Sequence, residues 1–359
     1  MRRVEEAIKE GIVAGAFPGL ALVVAREAET LYHYHTGFAQ LLPEPKEITP
    51  DTIFDLASLT KPVATATAIM LLVQAGKLSL SDKVQYYLAG FDGNGKEEVT
   101  IRHLLAHSSG LPAWKPYYKE IDPSLEGKSF ISNKVLQEEL VYAPGQKAIY
   151  SDLGFILLGM IIEKVAQQSL DSFCRQNIFQ PLGLYQTFFI NLQNKDNQKF
   201  LSLTNVAATE ACPWRDRIVV GEVHDENAYV MGGVAGHAGL FSTAQDLCRF
   251  AQTMLNCYQG KGNLISQEIA EVFFQRQADI PCSTWALGWD TPSPHGSSTG
   301  RYFTPRSIGH LGFTGTSIWI DLEQEIIVVL LTNRIHPQRS KEQIKIYRPL
   351  LHNLIMEEL

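Results

Sequence analysis

Ser58 and Lys61 stand three residues apart in LASLTKPVATATAIMLL, at the head of a helix-compatible run. Side chains at that spacing share one helical face. A helix start places backbone N–H groups and a positive dipole end beside the serine, where negative charge would develop during acyl transfer. A lysine one turn away can hold the hydroxyl and, with a depressed pKa, accept its proton. The motif is weak alone, since roughly one S-x-x-K arises by chance in a chain of this length. An N-capping serine beside a solvated lysine is the competing interpretation.

Other chemistry-bearing residues are less persuasive by spacing. Tyr150, considered by itself, is a loop tyrosine packed on a helix. His310 lies on a strand-like segment, either as a satisfied histidine or as a polar wall able to titrate near neutral pH. His103 and His107 are four apart, but no Glu follows His103 and no third ligand is evident, so a structural role is expected for both. The five cysteines form no CxxC pair, which favours reduced thiols over structural zinc. GGVAGHAGLFSTAQD lacks the Lys-Ser/Thr ending of a phosphate loop, and no G-x-S-x-G elbow is present. No metal or organic cofactor is indicated.

The elements that must position these residues follow from periodicity. Val4 to Ile12 predicts an opening helix, Leu20–Ala25 a buried strand, and Thr30–Gly37 a second strand. A long apolar helix begins near Pro62, where the missing N–H costs nothing, and stops at Gly76. IRHLLAH, SNKVLQEELVY and LGFILLGMIIEKVAQ predict further helices, and 189–230 reads as a long ordered loop with short elements. Ser242 and Gln245 have capping-box spacing before another helix. RSIGHLGFTGTSIWIDLEQEIIVVLLTNR predicts adjacent strands, and a closing helix follows. The expected fold is α+β: an antiparallel sheet flanked by helices, formed by both chain ends (1–57 and 232–359). A mainly helical lobe with a long loop (58–231) is inserted, and the site lies between the lobes of one unit.

The 359 residues are 45% hydrophobic and 19% charged, a globular composition that excludes a disordered chain. Lys plus Arg number 31 against 38 Asp plus Glu, a net charge of −7 that lacks the basic footprint of a nucleic-acid binder. No apolar run reaches the ~18–20 residues that span a bilayer. Two arginines precede the first apolar stretch, but Glu5, Glu6, Glu10, Pro18 and Gly19 argue against a secretory signal, so a cytoplasmic location is expected.

Two further motifs turn the weak S-x-x-K into a set. Tyr150-Ser151-Asp152 sits within APGQKAIYSDLGFILLG, and His310-Leu311-Gly312 within GHLGFTGTS. With HLLAHSSGLP and AGHAGLFSTAQDLCRF, the chain resembles the serine β-lactamase and penicillin-binding-protein superfamily over nearly its whole length. The similarity is greatest to class C β-lactamase-like hydrolases and esterases, whose second motif is Tyr-x-Asn or a variant and whose third is Lys/His-x-Gly. The resemblance implies a β-lactamase/transpeptidase-like fold with Ser58 as acylated nucleophile and Lys61 as its hydrogen-bonded partner. It implies Tyr150 as general base or proton shuttle, favoured as phenolate by nearby positive charge, and the N–H groups of Ser58 and Phe313 as oxyanion hole. Deprotonation of Tyr150 or Lys61 would make acyl transfer rise towards alkaline pH.

Three departures bear on the substrate. Asp152 replaces the usual asparagine and, ionised, cannot donate to an acylamide carbonyl. Leu311 replaces a hydroxyl residue and His310 a lysine, removing donors from where a substrate carboxylate would be held. A serine hydrolase of small ester or amide substrates is therefore expected. A D-alanyl-D-alanine carboxypeptidase, a β-lactamase and a weak penicillin-binding module are the alternatives. Arg334, after the last strand, is a candidate compensating charge. Nothing in the sequence sets the oligomeric state.

Overall fold

The computed structural model describes residues 1–359 except 28, 123 and 194–204. Eleven strands are present among the described residues: β1 (Gly19–Arg26), β2 (Glu29–Gln40), β3 (Lys46–Glu47), β4 (Phe54–Asp55), β5 (Phe188–Phe189), β6 (Ala211–Cys212), β7 (Arg217–Ile218), β8 (Leu240–Ser242), β9 (Ser307–Leu311), β10 (Ser317–Asp321) and β11 (Ile326–Thr332). The helices are α1 (Arg2–Val13), α2 (Thr67–Gln74), α3 (Ile101–Leu105), α4 (Gly127–Gln137), α5 (Asp152–Ala166), α6 (Leu170–Cys174), α7 (Glu226–Val230), α8 (Ala244–Tyr258), α9 (Gln267–Phe274) and α10 (Ile344–Glu358).

The main sheet is antiparallel with order β3-β2-β1-β11-β10-β9. Its centre joins the two ends of the chain, with β1 and β11 paired from Leu20↔Thr332 to Arg26↔Ile326. Strand alternation explains why β1 is apolar from Leu20 to Ala25. Leu20, Leu22 and Val24 join a core with Val4 and Ile8 of α1 and Leu351 and Ile355 of α10. Ala21, Val23 and Ala25 enter the larger core on the opposite face, shared with α8 and the helices of 61–179. Each fully buried Val or Leu contributes roughly 1.5–3 kcal/mol of transfer free energy, so a register slip in β1 would misplace both cores.

Several local expectations shift. The helix foreseen from Pro62 begins as π-helical turns, Lys61–Ala66, before α2. Thr67 Oγ1 follows that wider turn by donating to the Pro62 carbonyl five residues earlier, at 2.9 Å. SNKVLQEELVY is helical only to Gln137. The cap of α8 is Thr243, which accepts from Asp246 N at 3.3 Å; Ser242 ends β8 and its hydroxyl meets Thr187 Oγ1 at 2.7 Å. Within 189–230, a β6–β7 hairpin and α7 are described, and the expectation over 194–204 lies outside the described residues. All five cysteines are free. No single helix among the described residues is long and apolar enough to cross a membrane.

Candidate active site

The nucleophile candidate sits on a tightly braced turn. Asp55, ending β4, accepts Ala57 N–H at 2.8 Å and His224 N–H at 2.7 Å. Ala57 is held at φ +47°, in the left-handed region that β-carbon sterics disfavour. Ser58 follows in a single 3-10 turn, Ala57–Leu59. From the sheet side, Thr314 Oγ1 donates to Asp55 O at 2.8 Å and Thr316 Oγ1 to Leu56 O at 3.1 Å. The hydroxyls after the third motif therefore lock that motif's strand to the serine turn. Neither Ser58 N–H nor Phe313 N–H donates to another described residue, leaving two backbone donors for an incoming oxygen.

Lys61 is fully buried, and its ammonium has three partners. It donates to Ser58 Oγ and to His237 O, both at 3.0 Å, and pairs with Asp152 Oδ1 at 2.6 Å. Burial by itself would lower its pKa, but Asp152 and Tyr150 outweigh burial and leave it above the ordinary value. Asp152 opens α5, a 15-residue helix capped by Ser151, so the helix N-terminus also favours its carboxylate. The asparagine-to-aspartate departure thus creates an ion pair at the serine between a fully buried lysine and a part-buried carboxylate.

Tyr150 lies with its ring centroid 4.8 Å from Lys61 Nζ. Trp285 stacks on it at 5.4 Å, and His107 is 4.7 Å away. Burial pushes its pKa up to about 12, overriding the opposing pull of Lys61. The phenolate expected from the neighbouring charge is therefore corrected: desolvation of the anion dominates, and the resting group is a phenol. The expected depressed Lys61 is corrected for the converse reason, its carboxylate partner.

His310 on β9 is 5.9 Å from the Tyr150 ring and 5.6 Å from Trp285. Its Nδ1 is 2.8 Å from Leu311 O, which can only accept, so Nδ1 holds the proton and Nε2 the lone pair. Burial and Lys61 lower its pKa to about 3, so it does not titrate near neutrality as expected. His107 accepts Ser151 N–H at Nδ1 (3.0 Å), and His103 completes a capping box with Thr100. Both are structural, His107 by fixing the backbone between Tyr150 and Asp152.

The structure brings together Ser58, Lys61, Tyr150, Asp152, His310, Gly312 and Phe313. All but the buried Lys61 line one cavity of about 620 Å³. On its far side, sequence reasoning named Arg334 without placing it and missed Arg348. Arg334 and Arg348 line the cavity and are buried, with no carboxylate in ion-pair distance among the described residues. Arg334 Nε donates to Phe313 O at 3.0 Å, and its guanidinium lies 4.9 Å from the Phe313 ring centroid. Arg348 Nη2 donates to Gly315 O at 3.0 Å, while its Nε is buried and unpaired. Burial, then the charge of Arg334, lowers Arg348 to about 10. Asp225 and His237, also missed, pair at 2.9 Å beside Lys61. Only their placement in a G-x-x-G-H-A-G turn and at a helix cap could have flagged them.

A family model for β-lactamases matches residues 4–351. The chain belongs to the β-lactamase family, and it is a serine hydrolase. It is 35% identical to a Bacillus subtilis (strain 168) protein named "N-acetylmuramyl-L-alanine amidase", over 94% of this chain and 81% of that one. It is 34% identical to an Escherichia coli (strain K12) protein named "Putative D-alanyl-D-alanine carboxypeptidase", over 89% and 79%. Among solved structures, EstCE1, a hydrolase with promiscuous acyltransferase activity, superposes with a TM-score of 0.76 at 22% identity, covering 98% of this chain and 97% of that one. This last likeness speaks for the fold alone.

Proposed function

We propose that Ser58 attacks the carbonyl of a small ester or amide that bears an acidic group, forming an acyl-enzyme that water then hydrolyses. The observation that carries this is Lys61 Nζ at 3.0 Å from Ser58 Oγ, together with the unpaired amides of Ser58 and, on the β9–β10 turn, of Phe313, two residues that line the same cavity. Those amides would hold the developing oxyanion; losing one such donor typically costs ~10²–10³ in rate. Tyr150, as a phenol, is suited to donate a proton to the departing nitrogen or oxygen. The acidic group is supported by Arg334 and Arg348, which return to the opposite wall the positive charge absent at His310 and Leu311. The relatives named amidase and carboxypeptidase support amide bonds among the substrates, and a D-alanyl-D-alanine carboxypeptidase remains the second reading because this arginine pair could seat a terminal carboxylate.

The test is labelling with a fluorophosphonate, with Ser58→Ala as control, followed by turnover of anionic acyl substrates and their neutral methyl esters. A mass adduct lost in S58A, with at least tenfold preference for the acids, is the expected result. Labelling that persists in S58A would place the nucleophile elsewhere, and equal rates for acids and methyl esters would remove the arginines from substrate selection.

A further inference from the structure

Three groups face Ser58 Oγ or its lysine, and they differ in their capacity to take a proton. Lys61 donates to Ser58 Oγ and His237 O and is ion-paired with Asp152, so it rests as an ammonium with no lone pair to offer. Tyr150, half-buried on the cavity wall, is held as a phenol by desolvation. Asp152 alone is an ionised acceptor, 2.6 Å from Lys61 Nζ, at the N-terminus of α5 and facing the cavity with 17% of its side chain exposed.

From this geometry we infer that Asp152 is a positioning residue acting through Lys61: it receives, by way of the lysine, the proton that Ser58 gives up. As the Ser58 Oγ–C bond forms, Nζ passes one of its protons to Asp152 Oδ1, and the lone pair this frees takes the proton released as the Oγ–H bond breaks. Lys61 is an ammonium before and after the step, and Asp152 becomes a neutral acid. Tyr150 then protonates the leaving atom as the C–X bond breaks, and the Asp152 proton returns through Lys61 to the phenolate. In net terms one proton passes from Ser58 to the leaving group, and no other reactant is consumed. The inference rests on Ser58 being the nucleophile.

The other titratable groups around the pair do not compete. Burial, then Lys61, lowers both His107 and His310 far enough to keep them neutral. Burial would raise Asp225, but His237 outweighs it and holds the carboxylate ionised. Asp290 on the cavity wall, bonded to Thr284 Oγ1 at 2.6 Å, is pushed by burial to about 6. It is the neighbouring carboxyl that could imitate an acid limb.

The experiment is the pH profile of acylation, read as fluorophosphonate labelling rate, for the wild type, Asp152→Asn and Asp290→Asn. The wild type is expected to be flat from pH 7 to 9. Asp152→Asn is expected to lose ~10²-fold or more at pH 7, the usual scale for a general base. Its rate should then climb about tenfold per pH unit, because an unpaired, buried Lys61 deprotonates more easily and becomes the base. Asp290→Asn should keep the flat region. A D152N profile lowered by one factor at every pH would mean that Asp152 only holds the lysine, and a wild-type rate rising tenfold per unit from pH 7 to 9 would overturn the relay outright. Should D152N not fold, the proton inventory of the wild type in H₂O/D₂O mixtures decides: two protons in flight bow the plot, whereas a straight line refutes the relay. Loss of the adduct in S58A is read separately, so failure of the relay with that loss intact leaves the nucleophile assignment standing.

Discussion

Gly312→Ala offers a sharp perturbation of the oxyanion geometry. Gly312 is not in the left-handed region, so its requirement is space rather than backbone freedom. A β-carbon there would lie 2.0 Å from Thr316 Oγ1 and 2.5 Å from Leu56 O. Turning Thr316 away would break its 3.1 Å bond to Leu56 O and orphan a buried hydroxyl, yet the carbonyl would still obstruct. Reaching an ordinary contact of 3.4 Å requires the two strands of backbone to part by about 0.9 Å (3.4 − 2.5). Leu56 is two residues before Ser58 and Gly312 one before Phe313, so that movement separates the two proposed oxyanion donors. Such donors act at about 2.7–3.1 Å, and misplacement by 1 Å can cost ~10²-fold. Acylation should therefore slow by about two orders of magnitude, with overpacking lowering stability by roughly 1–3 kcal/mol. Single-turnover fluorophosphonate labelling and urea unfolding measure the two effects. Wild-type labelling at wild-type stability would refute the close approach as the reason for glycine.

Two further outcomes concern the scaffold. Gly236→Ala would place a β-carbon 2.1 Å from Phe155 O and 3.0 Å from Gly159 N on α5, beside the His237 carbonyl that accepts from Lys61; a loss of roughly 1–3 kcal/mol in urea unfolding is expected, with slower labelling. At Glu210 burial alone would raise the pKa, but His224 and Arg339 outweigh it and bring it down from 4.5 to about 2. A depressed carboxylate contributes stability above its unfolded pKa and loses it as pH falls through the folded one. Glu210→Gln should therefore be less stable by roughly 1–3 kcal/mol at pH 7, solvent around the part-exposed Arg339 screening part of the pairing, with the gap closing between pH 4.5 and about 2. A pH-independent gap in chemical unfolding would show that the ionised pair is not its source.

The sequence by itself determined the elements and the order of the three motifs, because helix and strand periodicity and short spacings are properties of neighbouring residues. The β1 run could be read as a strand buried on both faces, and Ser58 and Lys61 as one helical face, without any long-range knowledge. Ionisation states needed the tertiary structure. Asp152 read as a lost amide donor; only its 2.6 Å approach to Lys61 reveals a carboxylate that fixes the lysine as an ammonium. Tyr150 and His310 read as groups poised to ionise, and burial against Trp285 and each other sets them neutral. Arg334 could be named but not placed, and Arg348, inside the closing helix, had no signal at all. Both charges reach the cavity because β11 and α10 pack beside the β9–β10 turn, a convergence from distant chain positions that no local spacing encodes. Local sequence thus supplied the reacting groups, and desolvation and long-range pairing decided which protons they hold.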